Sequence, residues 1–218
     1  MTFSIVARCG RTGQLGAACT TSDVAIGARV PWARAGIGAA VTQHRTDPRL
    51  GPRLLSLLAS GADAAGAVAG AVASTPHAQW RQLAVIAPEG PPSAWSGELV
   101  DKRHAAEIAG TDHAVVGNLL AGPGVGAAVS AAFEAGDPAA GLAERLVAAL
   151  EAGLAAGGER RALRSAALLV VAGQPFPLVD LRADEHAEPV AELRRLWDLY
   201  RPLTAEFVTR ALDPCGAR

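Results

Sequence analysis

The order of strands and helices along the chain predicts an α+β fold. Two antiparallel β-sheets face each other, and pairs of helices cover their outer sides. Two observations carry this expectation. First, strand-like runs come in groups and helix-like runs in pairs: strands, two helices, strands, two helices, strands, one helix. That rhythm does not build the βαβ units of a parallel sheet. Second, Ser165 to Val171 is almost continuously apolar, which suits a strand in a sheet covered on both faces.

The elements follow in order. Residues 3–8 and 14–20 are small, apolar and β-compatible, and the turn sequence Cys9-Gly10-Arg11-Thr12-Gly13 joins them into a hairpin. Residues 23–29 read as a third strand, broken by Val30-Pro31-Trp32-Ala33, and residues 34–43 as a fourth. A helix begins after Asp47-Pro48, with Leu50, Leu54, Leu57 and Leu58 at helical spacing. Gly61 ends it, and Asp63 caps a second helix that runs to about Ala73. Arg81 to Ala87 is a strand, and Ser93 to Ser96 a short return strand. Residues 98–112 are mixed and polar and take no clear assignment. Ala114 to Val116 leads into Gly117-Asn118-Leu119-Leu120-Ala121-Gly122-Pro123. Helices follow over about 124–135 and 138–155, the second carrying Leu142, Leu146, Leu150 and Leu154 in steps of four. Leu178 to Arg182 is a further strand. The last helix opens at Glu188-Pro189 with Val190, Leu193, Leu196, Trp197 and Tyr200 as its apolar stripe. Residues 201–218 read as a tail with room for one more helical stretch, so residues 1–200 form one expected domain with no linker inside it.

Composition narrows the function classes. The chain has 218 residues, half of them hydrophobic, enough for one large core. A formal net charge of -1 gives no general attraction to nucleic acid or to an anionic membrane. The Ala-rich helical stretches are interrupted by Gly, Asp and Glu, so none is expected to span a bilayer. Lys102 is the sole lysine, which nearly removes Schiff-base chemistry and leaves the positive charge to arginine. Cys9, Cys19 and Cys215 are an odd set without metal-ligand spacing; they fit a reducing compartment, and a cytoplasmic protein is expected. Neither a cofactor nor a metal ion is expected.

The opening Met1-Thr-Phe-Ser-Ile-Val-Ala-Arg8 carries the chemistry. Phe3, Ile5 and Ala7 share one strand face; Ser4, Val6 and Arg8 share the other. Met1 precedes a small residue, so its removal would leave Thr2 with a free α-amine beside a hydroxyl. An α-amine titrates near 7.7–8.0 and can serve as a general base for the hydroxyl next to it. An ordinary translation start before an ordinary strand accounts for the same residues.

Taken together, several stretches resemble one bacterial family. They are Thr2-Phe-Ser-Ile-Val-Ala-Arg8, Thr12-Gly-Gln-Leu-Gly16, Val30-Pro-Trp-Ala-Arg-Ala-Gly36, Thr42-Gln43, Arg81-Gln-Leu83 and Gly117-Asn-Leu-Leu-Ala-Gly-Pro123. Arg160-Arg161 with Ser165-Ala-Ala-Leu168, and Asp180-Leu-Arg182 through His186 to Pro189-Val-Ala-Glu-Leu-Arg-Arg195, complete the set. Each is weak alone; their order over Thr2 to Tyr200 is specific. The family is domain of unknown function 1028, grouped with the N-terminal-nucleophile (Ntn) hydrolases. The resemblance implies a four-layer αββα sandwich and an amide-bond hydrolase acting on a small amide, ureido or peptide-like substrate. The chain departs from the family at Cys9, often Asp, and at Ser22-Asp23, often a bulky apolar pair.

Thr2 is then the candidate nucleophile and Asn118 the candidate oxyanion donor, although an Asn in a left-handed turn beside Gly117 explains Asn118 equally well. Arg34, Gln43, Trp32 and Arg164 form the candidate substrate-binding set. Arg34 would hold an anionic substrate or lower the amine pKa; a strand-edge Arg accounts for it as readily. Gln43 reads as pocket lining or as a satisfied strand-end amide. Arg160, Arg161 and Arg164 form a basic cluster that either binds an anion or lies on a solvated turn. Asp180, Asp184 and His186 offer no supported metal site, and His186 is expected to cap the following helix or to pair near it. The expected partners are a small-molecule substrate and further copies of the chain, as a homodimer or higher homo-oligomer. A catalytically silent binding or assembly protein of the same fold is the alternative.

Overall fold

The computed structural model describes residues 1–216. Two antiparallel sheets stack face to face. The first has six strands in the order β10-β9-β2-β1-β8-β7, the second four in the order β3-β4-β5-β6. The strands are β1 (Thr2–Cys9), β2 (Gln14–Thr21), β3 (Pro31–Arg34), β4 (Gly38–His44), β5 (Arg81–Ile86), β6 (Ser93–Ser96), β7 (Ala106–Ala109), β8 (His113–Asn118), β9 (Ser165–Val171) and β10 (Pro177–Ala183). The helices are α1 (Leu50–Ala59), α2 (Ala64–Ala73), α3 (Gly124–Ala135), α4 (Leu142–Ala155), α5 (Pro189–Tyr200) and α6 (Thr204–Leu212).

Alternation along each strand sorts the apolar residues into three layers. Phe3, Ile5 and Ala7 of β1 pack outward against Val129 and Phe133 of α3 and Leu146 and Leu150 of α4. Val6, Cys19, Val41, Ala84, Ile86 and Val116 fill the space between the sheets. Leu83 and Val85 of β5 face Leu50, Leu54 and Leu58 of α1 and Val68 of α2. The expected sandwich is therefore present, with α1 and α2 outside the smaller sheet. Outside the larger sheet α5 joins α3 and α4. It is clamped there by Arg194, whose guanidinium meets Glu144 at 2.8 Å and Glu151 at 2.9 Å. Trp197 donates its Nε1–H to Glu144 at 2.8 Å.

Local chemistry explains most boundaries. Asp63 caps α2 by accepting the Gly66 N–H at 2.7 Å. In α4 Leu142, Leu146 and Leu150 are buried, but Leu154 is 44% exposed. A step of four overshoots a 3.6-residue turn, so three such steps carry Leu154 off the buried face.

Two readings change. Residues 23–29 do not form a strand; they hold a single 3₁₀ turn over Ile26–Ala28 after a left-handed Ala25. Tertiary contacts override the local pattern there. The Ser165 hydroxyl donates to the Asp23 carbonyl at 2.7 Å and accepts the Ile26 N–H at 3.1 Å, while Ala25 donates to the Asp184 carbonyl at 2.8 Å. The stretch expected to break a strand, from Pro31, is itself β3. Proline is tolerated because Pro31 begins an edge strand, where a missing N–H leaves no gap in the ladder. Residues 98–112 contain the edge strand β7, paired with β8. The expected tail contains α6; residues 217–218 lie outside the described residues.

Candidate functional site

The site forms where β1 begins. β1 lies between β2 and β8, so Thr2 has a neighbour on each side: Thr21 of β2 and Asn118 of β8. Directly opposed residues send their side chains to the same face, and here that face looks toward the second sheet. Thr2 is 6% exposed. Its hydroxyl lies 3.2 Å from that of Thr21, and the Met1 carbonyl accepts hydrogen bonds from both hydroxyls.

Beneath Thr2 the space between the sheets is polar. The Ser4 hydroxyl donates to Gln43 Oε1 at 2.6 Å. Gln43 Nε2 donates to Gln82 Oε1 at 2.7 Å and reaches the Thr2 carbonyl at 3.4 Å. Asn118 Nδ2 donates to the same Gln82 Oε1 at 3.1 Å, and Asn118 Oδ1 is buried with no partner. Buried amides are costly unless paired, so this network fixes the floor of the site.

Above that floor opens a cleft of about 570 Å³ lined by Met1, Asp23, Arg29, His44, Arg45, Thr46, Leu119 and Arg161. Two of these residues hold left-handed backbone, His44 at φ 60° and Leu119 at φ 53°. For such residues this conformation costs roughly 1–2 kcal/mol. Neighbouring hydrogen bonds enforce it: Leu120 donates to the His104 carbonyl at 2.9 Å and Ala121 to the Gly158 carbonyl at 3.0 Å. The left-handed turn beside Gly117 therefore falls on Leu119, leaving Asn118 as the last residue of β8.

His44 places Nδ1 2.8 Å from the Trp80 carbonyl. An imidazole nitrogen facing a carbonyl oxygen must carry the proton, so in the neutral ring Nε2 is the acceptor. Burial lowers the His44 pKa; the Trp80 contact opposes this, and the charges of the amino terminus, Arg45 and Arg81 lower it further.

Glu159 stands behind the cleft, 8% exposed, where Leu120 forms a β-bridge with it. Its Oε2 accepts the Ser22 N–H at 3.2 Å, and its Oε1 has no partner. Burial raises the carboxyl pKa to about 7, against the lowering pull of the positive amino terminus and of Ser22; Asp23 adds to the rise. A carboxyl that exchanges its proton near neutrality thus lies within electrostatic reach of the chain's amino end.

Three sequence candidates, Thr2, Asn118 and Gln43, come together, with Gln43 in the buried floor and wholly covered. The other three do not join them. Arg34 pairs with Gly38, at the end of β4 away from His44. Trp32 lies over Gly51 of α1, and its Nε1 reaches the Arg29 carbonyl at 3.4 Å. Arg164 spends its guanidinium on Glu185 at 2.9 Å, although its backbone N–H donates to Thr21 at 2.8 Å. Sequence reasoning missed Glu159, Arg29 and Arg45 as site residues. Arg161 had been marked as part of a basic cluster and Asp23 as a departure from the family pattern; the Gly157-Gly158 turn was the available signal for Glu159. His186 stands just before α5, where its Nδ1 accepts the N–H of Glu188, the residue that precedes the helix, at 3.0 Å. Among the described residues no helix is long and apolar enough to cross a membrane.

Fold and site together define an α+β two-sheet sandwich whose first strand begins in a cleft between the sheets. The family model described as a family of unknown function, DUF1028, matches residues 2–193, and the chain belongs to that family. The crystal structure of protein SPO2555 from Silicibacter pomeroyi, which carries the same family model, is similar at a TM-score of 0.83. The two are 29% identical, and the match covers 91% of this chain and 88% of that one. Among curated proteins no sequence matches.

Proposed function

We propose that the chain is an amide hydrolase of the N-terminal-nucleophile kind, with residues 1–200 as its catalytic domain and Thr2 as nucleophile once Met1 is removed. One observation carries the reading: the Thr2 hydroxyl leaves the central strand of the larger sheet toward the second sheet, where the adjoining Met1 is itself part of the cleft wall. Removal of Met1 would expose an α-amine beside that hydroxyl. The amine takes the hydroxyl proton as Oγ1 bonds to the substrate carbonyl carbon. The C–N bond then breaks, and the amine's proton goes to the leaving nitrogen. Water hydrolyses the resulting ester, returning Thr2 and releasing the acid.

Asn118 has a second Nδ2–H beyond the one given to Gln82. That hydrogen and nearby backbone N–H groups would hold the oxyanion. Glu159, whose carboxyl titrates at about 7, would take up and return protons beside the amine. The cysteines Cys9, Cys19 and Cys215 are free, consistent with work in a reducing compartment.

The alternative is a silent binding protein of the same fold, in which Met1 stays and the Thr2 nitrogen remains an amide. Intact-mass measurement of the protein from its native host, with amide-library turnover by wild type and Thr2→Ala, separates the two. Loss of Met1 and turnover only by wild type support hydrolysis. Retention of Met1, or equal turnover by both proteins, overturns it.

A further inference from the structure

We propose that the cleft at the start of β1 binds a small dicarboxylate bearing an N–H group, such as an N-acyl derivative of an acidic amino acid. This deepens the hydrolase reading by naming its substrate class, and it stands on three features of the cleft.

The first is charge. Arg29, Arg45 and Arg161 line the cleft against the single carboxylate of Asp23. Among the described residues, Arg49, Arg103, Arg164, Arg194, Arg195 and Arg210 each hold a carboxylate within ion-pair distance; Arg29, Arg45 and Arg161 hold none. An unpaired cation on open surface is ordinary. Three around one concavity, drawn from three separated segments and joined there by the chain's positive amino terminus, outnumber the one carboxylate, and a dianion would offset that surplus.

The second is shape. A guanidinium presents a planar fork that matches a carboxylate with two parallel hydrogen bonds. No helix amino terminus lines the cleft, and helix termini are the common seats of tetrahedral phosphate. A volume of about 570 Å³ lies within the range for small-molecule sites.

The third is the lone acid. The Asp23 N–H donates to Thr21 Oγ1 at 3.4 Å, and its carbonyl accepts from Ser165, so its backbone is pinned at the cleft rim. A carboxylate held among guanidiniums without pairing to them is free to accept an N–H from a ligand. The His44 Nε2 lone pair offers a second acceptor on the same wall.

The test is isothermal titration calorimetry at low salt with N-acetylglutamate, its neutral diamide and inorganic phosphate as probes. Wild type and Thr2→Ala are both titrated, because binding does not need the nucleophile. N-acetylglutamate is expected to bind both, with the diamide and phosphate weaker by about tenfold or more, the value of one charge-assisted hydrogen bond. Arg45→Gln and Arg161→Gln are each expected to weaken it about tenfold, and raised salt to weaken it further. The Arg161→Gln melt should match wild type, since that side chain holds no ion pair among the described residues; Arg45→Gln should melt slightly lower, because the Arg45 guanidinium lies 5.7 Å over the Trp80 ring. Equal binding of acid and diamide, equal binding of phosphate, undiminished binding by the variants, or no heat from N-acetylglutamate would each overturn the proposal. A failed Thr2 mechanism leaves these heats unchanged, whereas turnover confined to uncharged amides would sink the dicarboxylate and spare the hydrolase.

Discussion

Gln82 accepts the Asn118 amide N–H at 3.1 Å, so the residue beside Thr2 is positioned by the opposite sheet. The same Gln82 oxygen accepts from Gln43 at 2.7 Å, and Gln82 Nε2 donates to Ser96 at 2.9 Å and to the Gly117 carbonyl at 2.8 Å. Gln82 is wholly buried. Replacing it with Leu would keep the volume but strand the donors of Gln43 and Asn118 and the Gly117 carbonyl. Gln82→Leu is therefore expected to lower stability by about 2–4 kcal/mol, read as a fall in the urea midpoint with an unchanged slope.

Glu159 gives the chain a pH dependence of definite sign. Its folded-state pKa, raised to about 7 from an ordinary 4.5, means that folding tightens its hold on a proton. The stability gained from that proton is complete below pH 4.5 and is lost as pH rises through about 7. The full difference is about 3 kcal/mol. Glu159→Gln cannot titrate, so wild type should lose stability relative to this variant between the two pH values. Urea unfolding of both proteins across that window checks this. A gap that stays constant or widens in the opposite direction would contradict the burial assigned to this carboxyl.

Some of this was readable in the sequence and some was not. The β1–β2 hairpin, α1 to α5 and β9 follow from periodicity and turn residues, because local pattern and tertiary burial agree there. Residues 23–29 misled because Val24 and Ile26 look like a strand, while Ser165 and Asp184, far away in sequence, set their path. Thr2 and Asn118 were legible because each ends a recognisable strand. Gln43 was visible only as a strand-end amide, since nothing local reveals that Gln82 will meet it. Arg34 misled because a Pro-Trp corner says nothing about which end of a hairpin faces the site. Glu159 had only the Gly157-Gly158 turn before it as a local mark, its character coming from burial beside the amino end.

The position of Trp32 rests on the absence of a side chain at Gly51. A Cβ at Gly51 would lie 2.0 Å from Trp32 Cδ1 and 2.2 Å from Cγ. The ring would have to move, taking with it the Nε1 contact to the Arg29 carbonyl. Alanine gains about 1 kcal/mol of helix propensity over glycine, but overpacking costs roughly 1–3 kcal/mol. Gly51→Ala should therefore melt lower than wild type. A melt at or above wild type would show that Trp32 repacks without strain.

Under the proposed hydrolase reading Thr2 links stability and chemistry, and the two can be measured apart. Its hydroxyl is buried and meets Met1 and Thr21. With Met1 removed, Thr2→Ala takes away the buried contact of that hydroxyl with Thr21 at 3.2 Å, a loss of about 1 kcal/mol. The variant should fold, with a urea midpoint slightly below wild type, and should lose all amide turnover. Thr2→Ser retains the hydroxyl at the same position and should keep measurable turnover, because a serine hydroxyl beside an α-amine supports the same attack. A folded Thr2→Ala protein with wild-type turnover would remove Thr2 from the chemistry. A Thr2→Ser protein as inactive as Thr2→Ala would show that the hydroxyl alone does not account for the activity.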